Sequence, residues 1–413
     1  MDETISQIDR SQKIFLGVLS ALIVLGVVMV YSSSYIYARD IYGNSAHYFY
    51  RQLLFLAISI PMCWVISKTK ITFWLKYGWI FHLGVCMLLV GTFIPGLGNH
   101  VKGANRWLSL GSFSIQPGEL VKYSTLLISV PFFEKFFDMS VKERWLKGSL
   151  MALPLLLLIL QPDFGTFTIC FVLMAMVCFL SSFPRKIFYS SLVIGVLAIV
   201  PILLAKPYRV RRLFAYLDPW KNPQTSGFQI IQSYLAFANG SIFGTGLGNS
   251  NEKLFYLPEA HNDFIFSVVG EELGFIGVFV VVSLFMLLIF FGLRLVTKLE
   301  QRMSAILATS LIFALGLQAS LNMGVVLGLL PTKGLNLPFI SAGGSSLIAN
   351  LFAIGLFLSA IVQRKKELNS LQAHNNFDQF RSSSSNTFSQ SFQEQRMSSM
   401  TNDNRATSQG ELF

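Results

Sequence analysis

Charged residues are scarce in this sequence. Asp, Glu, Lys and Arg make up 13% of its 413 residues, whereas hydrophobic residues make up 53%. Soluble globular domains usually carry about 25% charged residues, so this composition excludes a water-soluble globule. The mean hydropathy of +0.56 points the same way. The chain is therefore predicted to be an integral membrane protein.

Cysteine is also scarce, with four residues in the whole chain. All four lie inside apolar runs, and none has the close paired spacing of a zinc site or a secreted disulfide framework. We interpret them as small buried hydrophobic residues. The N-terminus lacks a small-residue cleavage site, so its first apolar run is predicted to be retained as a helix. No internal repeat is visible, which argues against a transporter built from two inverted halves.

Ten apolar runs approach the length of about 20 residues that a helix needs to cross a bilayer. They are residues 13–33, 51–67, 77–95, 116–134, 147–161, 165–182, 187–205, 264–293, 304–328 and 345–363. The predicted fold is an all-α polytopic integral membrane protein with about ten transmembrane helices. A long extracytoplasmic loop, residues 206–263, is predicted between the seventh and eighth helices.

Basic residues between these runs concentrate in every second loop. They are Lys68, Lys70 and Lys76; Lys135, Lys142, Arg144 and Lys147; Arg185 and Lys186; Arg294, Lys298 and Arg302; and Arg364, Lys365 and Lys366. By the positive-inside rule, these loops and both termini are cytoplasmic. The loops 34–50, 96–115, 206–263 and 329–344 and the turn 161–165 are then predicted to face outward.

The chain carries an excess of basic residues, with a formal net charge of +11. In a membrane protein such residues first set topology and meet anionic lipids, so no nucleic-acid partner is predicted. Arg209, Arg211 and Arg212 differ because they lie in an outward loop. Guanidinium groups bind phosphates in bidentate fashion, and three close together suit a pyrophosphate. A patch that binds lipid headgroups is the alternative.

The composition changes after Lys366 to Ser, Asn, Gln and scattered charge. Because this stretch has too few large apolar residues to form a core, residues 367–413 are predicted to be a disordered cytoplasmic tail. Residues 1–12 are predicted to form a short cytoplasmic N-terminus, and residues 13–366 the membrane domain.

Several polar residues lie at the outward ends of apolar runs. Glu119 and Lys122 are three residues apart, so on a helix they share a face. Together with Gln116 they are candidates for a cavity lining, and a purely structural ion pair is the alternative. Lys122 is also a candidate for neutralising a pyrophosphate, after the three arginines. Arg106 is interpreted as an interfacial anchor or a supporting site residue. Asp163, in a Gln-Pro-Asp turn, is equally compatible with a turn-forming and a functional role.

Acidic residues are most concentrated in the segment LPEAHNDFIFSVVGEELG. Glu259, His261 and Asp263 are predicted at an outward helix end, and Glu271 and Glu272 inside the following run. Glu271 would lie roughly 12 Å along that helix from Asp263, below the membrane surface. Ionisable groups in a membrane are functional candidates by default. Three glycines are predicted to share a helix face that a neighbouring helix approaches closely: Gly270, Gly274 and Gly277.

Two further outward segments offer polar groups to a ligand. Residues 227–240 are predicted to form an amphipathic helix in which the polar side chains of Gln229, Gln232 and Ser233 suit sugar hydroxyls. The segment PTKGLNLPFISAGGSS contains Lys333, Ser341 and Ser345. Consecutive Gly and Ser residues before a helix expose backbone N–H groups to an anion, and a simple helix cap is the alternative.

Taken together, these segments resemble the SEDS (shape, elongation, division and sporulation) family of bacterial cell-wall polymerases. The segments that carry the resemblance are GANRWL with QPGELVK, QPDFGT, YRVRR with DPW, GFQIIQSYLA, GLGNS with KLFYLPEAHNDFIFSVVGEELG, and PTKGLNLPFISAGGSSL. They occur in order across residues 13–365. The forms LPEAH and PTKGLNLPFIS are closer to the division-type branch than to the elongation branch.

The resemblance implies a peptidoglycan glycosyltransferase that polymerises lipid II at the outer face of the bacterial cytoplasmic membrane, at the division septum. It implies lipid II and polyprenyl-linked glycan as substrate and product, and a class B penicillin-binding transpeptidase and other membrane proteins of cell division as partners. The family's essential aspartate falls on Asp263, which is predicted to be the general base. No cofactor is required, because the donor carries its own leaving group. Whether Mg²⁺ or Mn²⁺ assists stays open.

The sequence departs from the family pattern at four places. It has HNDFIF for the more frequent HTDFIF, QPGE for QPSE, SAGGSS for SYGGSS and NRW for RRW. Asn262, Gly118, Ala342 and Asn105 therefore cannot carry a role that needs the usual side chain. Asp263 is intact.

Two other functions stay open from the residues. Intramembrane Glu119, Lys122 and Glu271 would suit a lipid II flippase, which needs a polar pathway. A non-catalytic scaffold would only recruit the transpeptidase. A positioned aspartate and an outward arginine cluster favour chemistry over both.

Overall fold

A computed structural model describes residues 2–101, 104–111, 113–204, 216–221, 223–224, 227–250, 260–331 and 334–408. The chain divides into two compact units. One comprises Ile8–Gln363, and the other comprises Met1–Gln7 with Arg364–Phe413. The first contains every candidate site residue that the structure describes.

Eleven α-helices lie within the described ranges. They are α1 (Asp2–Tyr42), α2 (His47–Lys68), α3 (Ile71–Gly91), α4 (Pro117–Glu134), α5 (Val141–Leu160), α6 (Phe164–Leu180), α7 (Arg185–Leu204), α8 (Phe228–Gly240), α9 (Ile265–Val296), α10 (Arg302–Val326) and α11 (Gly344–Ser408). Each predicted apolar run lies on one of these helices, and α8 matches the predicted amphipathic helix. The predicted all-α polytopic membrane fold is confirmed.

Six of the helices are long and apolar enough to cross a membrane, namely α1, α2, α3, α9, α10 and α11. Helix α6 is apolar but shorter, with 17 residues. The ten predicted apolar runs and the predicted amphipathic helix account for the eleven helices. They could be predicted because the length of an apolar run is a local property of the chain. The number of ten membrane crossings stays a prediction.

Helix α4 lies at the centre of the larger unit. It contacts α3, α5, α6 and α10, and its residues from Val121 to Val130 are all buried. A helix enclosed in this way has no solvated face, so its serine hydroxyl groups bond to its own backbone. Ser129 Oγ donates to the Thr125 carbonyl at 2.6 Å, for example. Glu119 and Lys122 are therefore inside the helix bundle.

The segment before α4 forms a small antiparallel sheet, where the sequence predicts only a loop. Its strands are β1 (Gly98–Val101), β2 (Ala104–Leu110) and β3 (Phe113–Ile115), in the order β1-β2-β3. Gly111, between β2 and β3, has a φ of +64°, which hairpin turns require and other residues rarely adopt. The alternation of polar and apolar residues in NRWLSL is the strand signal that the loop prediction missed.

The last helix continues past residue 366, where the sequence predicts the membrane domain to end. Helix α11 extends to Ser408, whereas residues 367–413 are predicted to be disordered. The stretch 356–409 contains neither Pro nor Gly, so it lacks the residues that most readily stop a helix. The prediction of disorder depended on composition, which decides whether a segment can bury a core and not whether its backbone is locally helical.

Candidate active site

Asp263 lies in a turn, residues 260–264, that leads into α9. Three consecutive carbonyl groups of this turn accept hydrogen bonds from other elements. The Asn262 carbonyl accepts one from Ser341 Oγ at 2.7 Å, and the Asp263 carbonyl accepts one from Asn322 Nδ2 at 2.8 Å. The His261 carbonyl accepts one from the backbone N–H of Ala342 at 2.9 Å. The backbone that carries the Asp263 carboxylate is therefore held in place.

The half-buried Asp263 side chain lies against Gly334. A Cβ atom added at Gly334 would lie 3.0 Å from Asp263 Oδ2, which is closer than ordinary van der Waals contact. Glycine at this position therefore leaves room for the carboxylate. The neighbouring Lys333 is outside the described residues, so its role stays a prediction.

The His261 ring is buried among tyrosines of two other helices. Its centroid lies 4.6 Å from that of Tyr48 on α2 and 5.2 Å from that of Tyr37 on α1. Aromatic pairs at these separations pack favourably. His261 thus anchors the turn against α1 and α2, a packing role that its sequence position did not reveal. Its predicted contact with substrate stays a prediction.

Two amide side chains of α10 join this turn to the rest of the bundle. Gln318 and Asn322 are four residues apart, so they lie on one helix face. Gln318 Nε2 donates to the Asn336 carbonyl at 2.9 Å, and Asn322 Nδ2 donates to the Leu335 carbonyl at 2.5 Å. The sequence analysis missed both residues. Two amides at helical spacing inside the apolar run 304–328 are the signal that would have found them.

Glu119 and Lys122 form the ion pair that their spacing predicts. Lys122 Nζ lies 2.7 Å from Glu119 Oε2, and both side chains are at least 95% buried. Lys122 Nζ also donates to Gln318 Oε1 at 2.5 Å. The ammonium group is thus bonded to α4 and α10 at once. This geometry favours the structural alternative for Lys122 over direct binding of a pyrophosphate.

Gln116 and Ser345 connect the start of α4 to the start of α11. The Gln116 backbone N–H donates to Ser345 Oγ at 3.0 Å. Gln116 also precedes Pro117, the first residue of α4, as expected for a residue at a helix N-terminus. Ser345 therefore satisfies a backbone donor of another helix and does not cap its own helix through this bond.

Asp163 caps the N-terminus of α6. Its carboxylate accepts hydrogen bonds from the Thr166 backbone N–H at 3.3 Å and from Thr166 Oγ1 at 2.9 Å. A Cβ atom added at Gly118 would lie 3.5 Å from Asp163 Oδ2, so this cap lies beside the start of α4. Arg106 Nη2 donates to the Pro162 carbonyl at 2.5 Å and holds the same turn. Asp163 and Arg106 therefore both stabilise this turn. A turn-forming role for Asp163 and a supporting role for Arg106 were each one of the alternatives predicted from the sequence.

Gln229 and Gln232 are half-buried on α8. This helix packs tightly on α9, since a Cβ atom added at Gly240 would lie 2.0 Å from the Gly270 carbonyl oxygen. Ser233 Oγ donates to the Val326 carbonyl at 2.7 Å and fixes α8 against the end of α10. The proposed contacts of the two glutamines with sugar stay a prediction.

Glu271 and Glu272 are both buried, as their position in the apolar run predicts. Ser250 Oγ donates to Glu271 Oε2, and Ser32 Oγ of α1 donates to Glu272 Oε2 at 2.5 Å. These hydroxyl groups and further polar contacts surround the two carboxylates. The pair therefore joins α9 to α1 and to the loop 241–250.

Helix α9 is interrupted at Gly274, which has a φ of +66° and a ψ of −164°. The loop 241–250 fills the interruption. Thr245 and Gly246 donate backbone N–H groups to the Glu271 and Glu272 carbonyls at 2.9 and 3.0 Å. Irregular backbone at membrane depth persists only where such partners exist. The prediction that Gly274 shares a helix face with Gly270 is therefore wrong, because periodicity alone does not reveal a break.

Replacement of Gly274 by Ala is expected to destabilise the fold. A Cβ atom there would lie 2.3 Å from Gly244 N and 2.5 Å from the Ile242 carbonyl oxygen, and a positive φ adds about 1–3 kcal/mol of backbone strain. The measurement is the thermal unfolding midpoint of the variant in detergent, compared with that of the native chain. The control is Gly84→Ala on α3, where no atom lies within 4 Å of an added Cβ. Equal midpoints for both variants would contradict the expectation.

Apart from Gln229 and Gln232 on α8, the described candidates thus form two connected groups. Hydrogen bonds and close packing connect a first group around the Asp263 turn, with members on α4, α6, α10 and the segment 334–345. Glu271 and Glu272 form a second group around the interruption of α9. Four predicted residues besides Lys333 are outside the described residues: Arg209, Arg211, Arg212 and Glu259. In the described part of the chain, no group of three or more His, Cys, Asp and Glu residues is arranged to hold a metal.

The fold and the site define a multi-pass membrane protein with a fixed polar cluster among its helix ends. Residues 12–366 match the model of the FtsW/RodA/SpoVE family of cell cycle proteins. The chain belongs to this family, which confirms the resemblance that its motifs predict.

Relatives and a solved structure agree with this assignment. The chain is 39% identical over 368 residues to the probable peptidoglycan glycosyltransferase FtsW of Geobacter metallireducens, covering 87% of this chain and 97% of the relative. It is 41% identical over 347 residues to the protein of the same name from Coxiella burnetii, covering 82% and 92%. A solved structure on the coordination of polymerisation and crosslinking by a peptidoglycan synthase complex contains a chain with a TM-score of 0.68. That chain is 29% identical, and the match covers 85% of this chain and 97% of that one.

Proposed function

We propose that this chain is a peptidoglycan glycosyltransferase that joins lipid II units into glycan strands at the outer face of the cytoplasmic membrane. Two relatives that cover 87% and 82% of the chain are named as probable enzymes of this activity. The structural observation that carries the proposal is the Asp263 turn. It presents a half-buried carboxylate on a backbone held by three hydrogen bonds, as a positioned general base requires.

In this mechanism Asp263 removes the proton from the 4-hydroxyl group of the acceptor sugar. The hydroxyl oxygen forms a bond to the anomeric carbon of the donor sugar, and the bond from that carbon to the lipid pyrophosphate breaks. Negative charge develops on the departing pyrophosphate. Arg209, Arg211 and Arg212 neutralise it, since guanidinium forks bind phosphate oxygens in pairs.

Other polar groups position the substrates. Gln229 and Gln232 donate to sugar hydroxyls. Ser341 acts indirectly, because its one hydroxyl hydrogen is donated to the Asn262 carbonyl and holds the Asp263 turn. Asn322 is buried and also acts indirectly, since its Nδ2 atom donates to the Asp263 carbonyl and holds the turn. Lys122 acts indirectly, because its bond to Gln318 holds α10 and therefore the Asp263 turn.

A class B penicillin-binding transpeptidase is the proposed partner, and the division septum is the proposed location. The structural relative belongs to a complex that coordinates polymerisation with crosslinking. A polymerase that releases glycan strands at the outer face needs a transpeptidase on the same side to crosslink them. Other membrane proteins of cell division are proposed to recruit the pair.

The decisive experiment mixes the purified chain, its transpeptidase partner and fluorescent lipid II in detergent, with and without a chelator of divalent cations. We expect glycan strands of many units on a gel. A parallel assay measures translocation of the same lipid II across vesicle membranes. Translocation without strands would support the flippase. Absence of both activities, with the complex intact, would support the scaffold.

A further inference from the structure

A groove lies between α3, α4 and α5, at the end of these helices that is opposite to the candidate active site. Its lining comes from the start of α3, the end of α4 and the start of α5. Gln116, which belongs to the candidate site, is at the other end of α4. The α4 residues that line the groove, Leu127 to Phe132, lie 11 to 16 residues from Gln116, which is about 16–24 Å along the helix at 1.5 Å per residue. The groove is therefore a separate site.

The floor of the groove is apolar. Leu127, Ile128 and Phe132 of α4 line it and are buried by the surrounding helices. Trp79 of α3 lies at its rim and is 45% exposed. A tryptophan at the edge of an apolar surface is typical of the headgroup level of a bilayer. Leu75 and Pro131 are half-buried beside it. The accessible apolar surface that suits an acyl chain is therefore the rim above this floor.

Two lysines give the groove its charge. Lys76 of α3 and Lys147 of α5 both line it. Lys147 Nζ lies 3.7 Å from Met139 Sδ, and Lys76 Nζ lies 5.1 Å from the centroid of the Tyr77 ring. Among the residues that the structure describes, neither ammonium group has a carboxylate partner. An anion is therefore the complementary ligand.

We propose that the groove binds one anionic phospholipid of the surrounding bilayer. An acyl chain lies along the apolar rim, and the headgroup phosphate lies between Lys76 and Lys147. A soluble anion would leave the apolar rim unused, whereas a zwitterionic lipid would add no net charge to balance the two ammonium groups. The positive-inside rule assigns both lysines to the cytoplasmic leaflet, where anionic lipids are concentrated.

Fluorescence of Trp79 tests the proposal directly. The full chain is reconstituted into phosphatidylcholine vesicles that contain a small share of either brominated phosphatidylglycerol or brominated phosphatidylcholine, because bromine on an acyl chain quenches nearby tryptophan. The Trp79 signal is the difference between the native chain and its Trp79→Phe variant. We expect stronger quenching by brominated phosphatidylglycerol. Equal quenching by both lipids would overturn the proposal.

The second arm removes the charges. The double variant Lys76→Gln/Lys147→Gln is expected to lose most of an approximately thirtyfold preference for phosphatidylglycerol, as the attraction of two basic residues to anionic headgroups implies. The matched control is Lys135→Gln/Lys142→Gln, which removes the same charge at two exposed positions outside the groove lining. The control should keep the preference. An equal loss in both double variants would show a general surface effect and contradict a specific site.

Discussion

The Asp263→Asn variant is expected to polymerise lipid II about 10² to 10⁴ times more slowly than the native chain, the usual contribution of a positioned general base. Asparagine has nearly the same shape as aspartate, but its amide cannot take the proton from the acceptor hydroxyl group. The fold should persist, because the turn is held through the Asp263 carbonyl group, which the substitution keeps. The loss should therefore appear in the chemical step.

The measurement is the initial rate of strand formation from fluorescent lipid II, with the transpeptidase partner present. Copurification of the partner and the thermal unfolding midpoint report whether assembly and folding are intact. The matched control is Asp218→Asn, which removes a carboxylate from an exposed ion pair with Lys221 at 3.2 Å and should leave the rate unchanged. A fully active Asp263→Asn variant would refute the assignment of the base. An inactive native chain would instead refute the proposed activity.

Helix positions were the most predictable part of this protein. The run 304–328 corresponds to α10, Arg302–Val326, and the run 264–293 to α9, Ile265–Val296. The length of an apolar run is a local property of the sequence. Within a membrane, only segments whose backbone hydrogen bonds are satisfied inside the protein are stable. The hairpin before α4 was missed, because the short alternating segments NRWLSL and FSI carry a much weaker signal than a long apolar run.

The candidate site was predictable as a set of residue types but not as a set of contacts. The acidic cluster that contains Asp263 could be selected because ionisable groups at and inside an apolar run are unusual, and the family resemblance then singled out Asp263. Its support by Asn322 and Ser341 depends on residues 59 and 78 positions further along the chain, and no local pattern encodes such pairs. The interruption of α9 at Gly274 could not be predicted from local sequence either, since the hydrogen-bond partners that stabilise it lie in the loop 241–250.

Lys122→Met is expected to be the most destabilising single substitution among the polar residues of α4. It leaves the Glu119 carboxylate without its cation in a site that is at least 95% buried, and it removes the bond to Gln318. Loss of one partner from a buried ion pair usually costs about 3–5 kcal/mol. The effect should appear as a lower unfolding midpoint in detergent and a smaller free energy of unfolding.

The double variant Glu119→Leu/Lys122→Met distinguishes the two interpretations of this pair. If the pair is structural, removal of both charges should restore most of the lost stability, because apolar replacements of buried ion pairs are often neutral. Polymerisation should then recover with it, since Gln318 keeps its bond to the Asn336 carbonyl group and Asn322 still holds the Asp263 turn. A stable but inactive double variant would show that the charges act on the substrate. The exposed Lys221→Met substitution is the control and should change neither quantity measurably.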